Sequence, residues 1–169
     1  VVLENKIKIH NFYVPAGGDE PDIKLNEKFN HKINFIKEMI QFFNKIKLKK
    51  TVLVGDLNVA PYENDVWSHK QLLNVVSHTP IETELLKKLI DDSNWVDVGR
   101  KFISKHEKLY SWWSYRNRDW KKSNRGRRLD HIWVSKDLDV ILKYFLSCKE
   151  IRDWEKPSDH VPLILELSL

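Results

Sequence analysis

The hydrophobic positions of the chain follow two different spacings, which predict helices and strands. Apolar residues recur every three to four positions across 26–47, the pattern of an amphipathic helix, and a second helix is predicted at 82–92. Short runs that alternate in polarity, or that are apolar throughout and border turn-forming residues, indicate strands. These runs lie at 6–12, 51–54, 110–113, 131–135, 141–146 and 161–167.

The order of these elements favours a layered α/β fold with antiparallel strand pairing, because strands and helices mix without a strict β-α-β rhythm. No internal repeat or low-complexity linker interrupts the 169 residues, so 1–169 is interpreted as one domain or part of one. The chain starts Val1-Val2-Leu3, without an initiator Met or a basic leader. This start is typical of the middle of a sheet edge, and we expect the chain to be a fragment of a longer protein.

The composition excludes several classes of protein. Charged residues make up 31% and hydrophobic residues 41%, which is ordinary for a globular protein and argues against disorder. No apolar run reaches the roughly 20 residues that span a bilayer, so no membrane partner is expected. Cys148 is the single cysteine, which excludes a disulfide framework within the chain and fits a reducing, cytoplasmic setting.

The net charge of +5 is concentrated in one segment. Residues 100–136 carry 12 Lys and Arg against three acids, a balance of +9, which leaves −4 for the remainder. Aromatic residues are interleaved with these cations, and stacking together with phosphate contact is what a nucleic acid requires. The alternative is a solvated charged face. The segment contains Tyr110, Trp112, Trp113, Tyr115, Trp120 and Trp133.

Three short motifs place acids where strands begin or end. Asp56 and Asn58 follow the apolar run 51–54, and such a pair can transfer a proton or hold a cation, although a strand-end Asp is often only a turn former. Asp159 and His160 precede the last strand, where they offer a hard oxygen ligand for Mg²⁺ or Mn²⁺ and a switchable donor. Their alternative is a capping Asp beside a surface His.

The third acid, Asp130, directly precedes the strand at 131–135. It can buttress a histidine, or it can form a salt bridge with Arg127 or Arg128. Taken together, the three motifs and the basic aromatic segment supply what metal-assisted attack of water on a phosphodiester needs: oxygen ligands, a proton-transfer residue, a cation and phosphate anchors.

Five motifs follow one another along the chain: NFYVP (11–15), GDLN (55–58), WWSYR (112–116), GRRLD (126–130) and SDHVP (158–162). In this order they resemble the exonuclease III group of abasic-site endonucleases, within the endonuclease–exonuclease–phosphatase superfamily. The resemblance covers the chain from about Ile7 to its C-terminus. It implies a DNA repair nuclease that depends on a divalent metal and acts on double-stranded DNA at abasic sites and 3′ ends.

The resemblance also implies roles for the residues of the reaction site. Tyr13 would contact the scissile phosphate or assist the leaving group, and Asp56 would transfer the proton, oriented by Asn58. Asp130 would pair with His160, which would donate to a phosphate oxygen. The divalent metal, Mg²⁺ or Mn²⁺, would be held by Asp159, with Asp56 and Asn58 as further ligands.

Five other residues would contact DNA by the same resemblance. Trp112 and Leu129 would line a mostly apolar pocket for a base-less sugar, and Arg116 would contribute to DNA binding. Asn11 falls where the family has a polar residue that supports the tyrosine loop. Arg127 lies where some relatives carry an aromatic residue, and we expect it to contact phosphate or a strand rather than to stack.

The departures from the family pattern leave alternatives open. The family begins with a strand that bears a catalytic Asn and then a metal-ligating Glu, and neither is found here. The chain is therefore expected to be the C-terminal portion of a four-layer αββα sandwich, from a protein that is a monomer at full length. A catalytically impaired DNA-binding fragment is the first alternative. The same fold acting on RNA or a phosphoinositide is the second, which the cluster of Trp112, Trp113 and 125–128 disfavours.

Some residues are assigned no function at this point. For Lys24, Lys28 and Lys32 a solvated helix face is favoured over a backbone contact by one of them. Trp67 and Trp95 are interpreted as core residues.

Overall fold

The computed structural model describes residues 1–116 and 119–168. Its strands are Lys8–Tyr13 (β1), Thr51–Asp56 (β2), Trp95–Asp97 (β3), Trp112–Trp113 (β4), Gly126–Arg127 (β5), Asp130–Ser135 (β6), Leu142–Ser147 (β7) and Leu163–Leu167 (β8). Its α-helices are Glu27–Asn44 (α1), His69–Leu72 (α2), Pro80–Asp92 (α3), Val98–Phe102 (α4) and Trp120–Ser123 (α5). The expected α/β class is confirmed.

The central sheet has the strand order β1-β2-β6-β3. Strand β1 runs parallel to β2, whereas β6 is antiparallel to both β2 and β3. The register pairs Tyr13 with Asp56 and Asp56 with Asp130, so these three residues form one row across the end of the sheet. Side chains that lie directly opposite each other on paired strands project from the same face. The sheet therefore gathers three of the predicted site residues without help from any loop.

The sheet is covered on both faces. Helices α1 and α3 pack on one face through a core that includes Ile36, Phe43, Leu53, Leu89 and Trp133. The β7–β8 hairpin covers the other face with its own apolar residues, Phe145 among them. The described residues thus form helix, sheet and hairpin layers, which agrees with a portion of an αββα sandwich.

The two long helices begin at side-chain caps. The side chain of Asn26 accepts hydrogen bonds from the backbone amides of Lys28 and Phe29, so α1 starts one residue after the predicted boundary. Helix α3 starts at Pro80, before the predicted start at 82, because Thr79 and Glu82 form a reciprocal capping box. The predicted strand at 110–113 is shorter than expected and keeps only the two residues of β4. No helix of the described residues is long and apolar enough to cross a membrane.

A buried ionic cluster ties the loop before β6 to the rest of the fold. The guanidinium of Arg128 bonds Asp97 at 2.8 Å and Asp65 at 3.0 Å, and Arg100 also pairs with Asp65. Both arginines belong to the basic segment 100–136, yet acids from outside the segment neutralise them. The +9 balance therefore overstates the positive charge that the segment presents to a partner. Arg118, which is counted in that balance, lies outside the described residues.

His131 is a buried titratable side chain on β6. Its Nε2 lies 2.9 Å from the carbonyl oxygen of Val59, so this nitrogen carries the proton. Its Nδ1 is buried and has no hydrogen-bond partner among the described residues. Burial lowers the pKa of His131 from 6.5 to about 4, and the nearby Arg128 adds to the shift. The folded protein consequently holds this imidazole neutral.

We expect His131 to make the fold sensitive to acid between pH 6.5 and about pH 4. In this window the unfolded chain binds a proton that the folded chain does not, so lowering the pH favours unfolding. The full contribution is about 3 kcal/mol. Urea unfolding of the unaltered protein and of His131→Gln measures it, because glutamine keeps an Nε2 donor without titrating. A stability difference between the two that did not change with pH would contradict the prediction.

Candidate active site

Asp56 and Asn58 form a compact turn at the end of β2. The side-chain amide of Asn58 donates to the Asp56 carboxylate at 3.0 Å and to the carbonyl oxygen of Val14 at 2.9 Å. The backbone amide of Asn58 donates to the other Asp56 oxygen, also at 3.0 Å. Gly55 makes the turn sterically feasible, because its φ is +139° and a Cβ there would lie 1.9 Å from the Phe12 carbonyl oxygen. The Asp56 carboxylate is thereby held in one orientation.

Lys32 supports this turn from α1. Its ammonium group donates to the carbonyl oxygen of Asn58 at 2.7 Å and to that of Ala16 at 3.2 Å. It also pairs with Glu82 at 2.5 Å, and both side chains of this ion pair are fully buried. Burial lowers the pKa of Lys32, and the Glu82 carboxylate opposes that shift. The prediction of a solvated helix face is therefore wrong for Lys32, although it agrees with the exposed positions of Lys24 and Lys28.

Asp130 and His160 are joined by a short hydrogen bond. The Nδ1 of His160 lies 2.8 Å from a carboxylate oxygen of Asp130, which leaves Nε2 to face the site. This bond raises the pKa of His160, against the opposing effect of burial. Of the alternatives left open for Asp130, the structure shows the histidine partner, since Arg128 is engaged with Asp65 and Asp97.

The Asp56 carboxyl group is electrostatically unusual. Burial and the neighbouring negative charge of Asp130 raise its pKa to about 6, although the Asn58 hydrogen bond, His160 and Lys32 all oppose the shift. A carboxyl group with this pKa can exchange a proton near neutral pH. The row of residues across the sheet therefore places this carboxyl group beside a hydrogen-bonded imidazole.

Asp159 lies next to these groups and offers a further carboxylate. One of its oxygens accepts a hydrogen bond from the indole nitrogen of Trp112 at 2.9 Å. Among residues 1–116 and 119–168, no group of three or more His, Cys, Asp or Glu side chains could hold a metal ion. The side-chain oxygens of Asp56, Asn58 and Asp159 still suit Mg²⁺. This ion commonly binds through only one or two carboxylates and keeps several of its waters.

A cavity of about 630 Å³ opens beside the row. Most of the predicted site residues line it: Tyr13, Asp56, Asn58, Trp112, Arg116, Arg127, Leu129 and His160. Asp130 and Asp159 stand directly behind the lining, hydrogen bonded to His160 and Trp112. Asn11 does not line the cavity; it is exposed on β1, two residues before Tyr13.

A second row of residues crosses the cavity wall. Trp112 on β4 pairs with Arg127 on β5 on one side and with His160 on the other. The Arg127 guanidinium lies over the Trp112 ring, 5.5 Å from its centroid. Arg127 thus packs on a tryptophan of its own chain, and the expectation that it contacts phosphate or a DNA strand stays a prediction.

Two further residues line the cavity: Trp67, which no motif marks, and Arg125, which the sequence marks only as part of the basic cluster 125–128. Trp67, expected in the core, is only half-buried and lines the cavity, and the guanidinium of Arg125 lies 4.7 Å from its ring centroid. The apolar and polar residues around Trp67 alternate with neither helical nor strand spacing, so the position of Trp67 in the protein depends on the tertiary fold. Trp95, in contrast, is a core residue as predicted.

The sequence model of the endonuclease/exonuclease/phosphatase family matches residues 35–160 of this chain. The chain belongs to that family. Exodeoxyribonuclease III of Haemophilus influenzae is 30% identical over 168 residues, which cover 95% of this chain and 61% of the relative. The expected resemblance to the exonuclease III and AP endonuclease group is confirmed by this match.

Solved structures of family members agree with the fold. An AP endonuclease from Archaeoglobus fulgidus has a TM-score of 0.86 at 29% identity. A 3′ phosphatase, NExo, from Neisseria, bound to a product DNA hairpin, has a TM-score of 0.83 at 25% identity. Each comparison covers 95% of this chain and 61% of the other. The chain thus spans 61% of the length of these relatives.

Proposed function

We propose that the protein acts as a DNA repair nuclease, which hydrolyses phosphodiester bonds of double-stranded DNA 5′ to abasic sites and at 3′ ends. The observation that carries the proposal is the row Tyr13–Asp56–Asp130, with His160 bonded to Asp130, at the edge of a cavity that also holds arginine and tryptophan side chains. Relatives named as exodeoxyribonuclease III and AP endonuclease support it.

Each residue of the row has a chemical task in this proposal. Asp56 accepts the proton of the attacking water, a role that its pKa of about 6 favours. Asn58 holds that carboxylate in place through its two hydrogen bonds. His160 donates from Nε2 to a phosphate oxygen as negative charge develops, and Asp130 keeps the imidazole protonated and oriented. Tyr13 contacts the scissile phosphate or assists the leaving group.

The proposal includes a divalent metal, Mg²⁺ or Mn²⁺, held by Asp159 with Asp56 and Asn58 as further ligands. When bound, such an ion stabilises negative charge on phosphate oxygens. Carboxylate and amide oxygens are the donors that these hard cations prefer.

The DNA contacts in this proposal lie along the cavity. Trp112 and Leu129 receive the base-less sugar, and Arg116, Arg127 and Asn11 contact the strand. We further propose that the protein works as a monomer in the cytoplasm, where its single cysteine, Cys148, stays reduced.

A synthetic duplex with one abasic site and a labelled strand tests this function. We expect cleavage on the 5′ side of the abasic site in Mg²⁺ and none in EDTA, because the reaction depends on the metal. A gel of the labelled products measures it. Salt-dependent binding of the duplex without cleavage would instead favour the DNA-binding fragment. Cleavage of RNA or a phosphoinositide in place of duplex DNA would overturn the choice of substrate.

A further inference from the structure

The cavity is lined by charged groups of both signs. Asp19 and Asp56 contribute carboxylates to the lining. Three guanidinium groups also line it, from Arg116, Arg125 and Arg127. A ligand that fills the cavity therefore meets arginine side chains as well as the carboxylate of Asp56.

Arg127 is held rigidly in this wall. One of its terminal nitrogens donates to the Ser77 hydroxyl at 2.8 Å and to the Val76 carbonyl oxygen at 3.1 Å. One face of the guanidinium lies on Trp112. Its other terminal nitrogen and its Nε have no hydrogen-bond partner among the described residues. The side chain is thus fixed by one nitrogen and one face, and retains donors for a ligand.

The charge of Arg127 is only partly balanced. The carboxylate that stabilises its charge, Glu82, pairs directly with Lys32 at 2.5 Å. It is linked to Arg127 through Ser77, whose backbone amide donates to Glu82 at 2.9 Å and whose hydroxyl accepts from Arg127. Two desolvated cations thus share one carboxylate. Burial lowers the pKa of Arg127, as expected for a guanidinium removed from water without a carboxylate of its own. A cation in this state gains most from an anionic ligand.

The position of Arg127 sets which anion it can reach. Arg127 pairs with Trp112 across β4 and β5, and His160 forms a β-bridge with Trp112 on its other side, which places the backbones of Arg127 and His160 about 10 Å apart. A phosphate at His160 and a second phosphate at Arg127 would then lie on opposite sides of Trp112, so that one sugar can fit between them.

We propose that Arg127 binds the phosphate on the 3′ side of the sugar that enters the cavity, and so makes that phosphate a determinant of substrate choice. The inference rests on the proposed nuclease function. The phosphate has two sources, the internal diester that follows an abasic sugar or a terminal phosphate at a 3′ end. Both offer anionic oxygens that match the fork geometry of arginine.

Binding without turnover tests this role. The probes are an abasic duplex, the same duplex with an uncharged methylphosphonate on the 3′ side of the abasic sugar, and a duplex that ends in a 3′-phosphate or a 3′-hydroxyl. Fluorescence anisotropy in EDTA gives the dissociation constants for the unaltered chain and for Arg127→Gln. Since a hydrogen-bonded charge pair is removed, we expect the unaltered protein to discriminate at least about 10-fold between charged and neutral probes. For Arg127→Gln the two dissociation constants should differ by less than about 2-fold, because only the more distant cations then respond to the phosphate charge.

Two further variants complete the experiment. Arg127→Lys retains the charge but not the fork, so its discrimination should lie between those of the other two proteins. Lys121→Gln removes an exposed cation on α5 that pairs with Asp153, and should leave the discrimination unchanged. Discrimination only with the internal diester, or only with the terminal phosphate, identifies the source. Duplex binding in which Arg127→Gln discriminates as well as the unaltered protein would overturn the inference and leave the nuclease proposal standing. Failure to bind any duplex would overturn both.

Discussion

Asp56→Asn is expected to lower the single-turnover rate of abasic-site cleavage about 10³-fold, because the variant keeps the shape of the side chain but has no carboxylate to accept a proton. Asparagine still offers one oxygen to the Asn58 amide, so the turn is expected to persist. The rate is measured with enzyme in excess over a labelled abasic duplex in Mg²⁺. Single-turnover conditions separate this step from product release.

Asp92→Asn provides the matched control for that substitution. Asp92 lies at the end of α3, where it forms an exposed ion pair with Lys88 at 2.7 Å, far from the row of site residues. Its loss should leave the cleavage rate unchanged. General acid–base groups typically contribute about 10²- to 10⁴-fold to a rate. An Asp56→Asn protein that folds normally and cleaves within about 10-fold of the unaltered rate would therefore show that Asp56 does not transfer the proton.

Of the substitutions described here, Lys32→Met should lower the free energy of unfolding the most. Methionine fills the same space, but it leaves the fully buried Glu82 carboxylate without its counter-ion. Breaking a buried ion pair from one side costs about 3–5 kcal/mol, a large share of the total stability of a domain. The carbonyl oxygens of Asn58 and Ala16 also lose a donor. Urea unfolding monitored by tryptophan fluorescence measures the free energy.

Lys28→Met is the matched control for this prediction, one helical turn earlier on α1 and exposed. Its effect should stay within about 0.5 kcal/mol. Adding Glu82→Gln to Lys32→Met should recover part of the loss, because the unpaired charge is then removed while hydrogen bonds to Thr79 and Ser77 can persist. A loss below about 1 kcal/mol in Lys32→Met would show that the ion pair does not support the fold.

The elements that depend on local spacing are those the sequence predicts well. Helix α1 and strands β2, β6 and β7 follow from apolar periodicity, since the interactions that form them are short in range. Strands β3 and β5 and the short helices were not predicted, because two to five residues carry too little periodicity. The capping box at Thr79 and Glu82 was readable and would have placed the start of α3 correctly.

The site divides in the same way. Asp56 and Asn58 are two residues apart, so their contact follows from the motif, whereas Asp130 and His160 are 30 residues apart and their pairing was implied only by the family resemblance. Lys32 was misassigned although a signal was present: it lies three residues after Phe29 and four before Ile36, on the apolar stripe of α1. A charged residue on that stripe requires a buried partner, and Glu82 is too distant in sequence to be recognised as one.

The basic segment shows why net charge alone misleads. Its arginines have different fates: Arg100 and Arg128 are buried in ion pairs, whereas Arg125 and Arg127 line the cavity. Sequence spacing does not distinguish these fates, because each depends on whether the fold brings a carboxylate opposite. Asp65 and Asp97 are the carboxylates that bind Arg100 and Arg128.

The hydrogen bonds that run from Arg127 through Ser77, Glu82 and Lys32 to Asn58 constrain how this sequence can diversify. A lineage that altered the cavity wall to accept a new substrate would also disturb the support of the turn that carries Asp56. Changes in specificity should therefore arise more readily around Arg116 and Arg125, which stand outside this chain of contacts. Adaptation at one wall would leave the chemistry at the other intact.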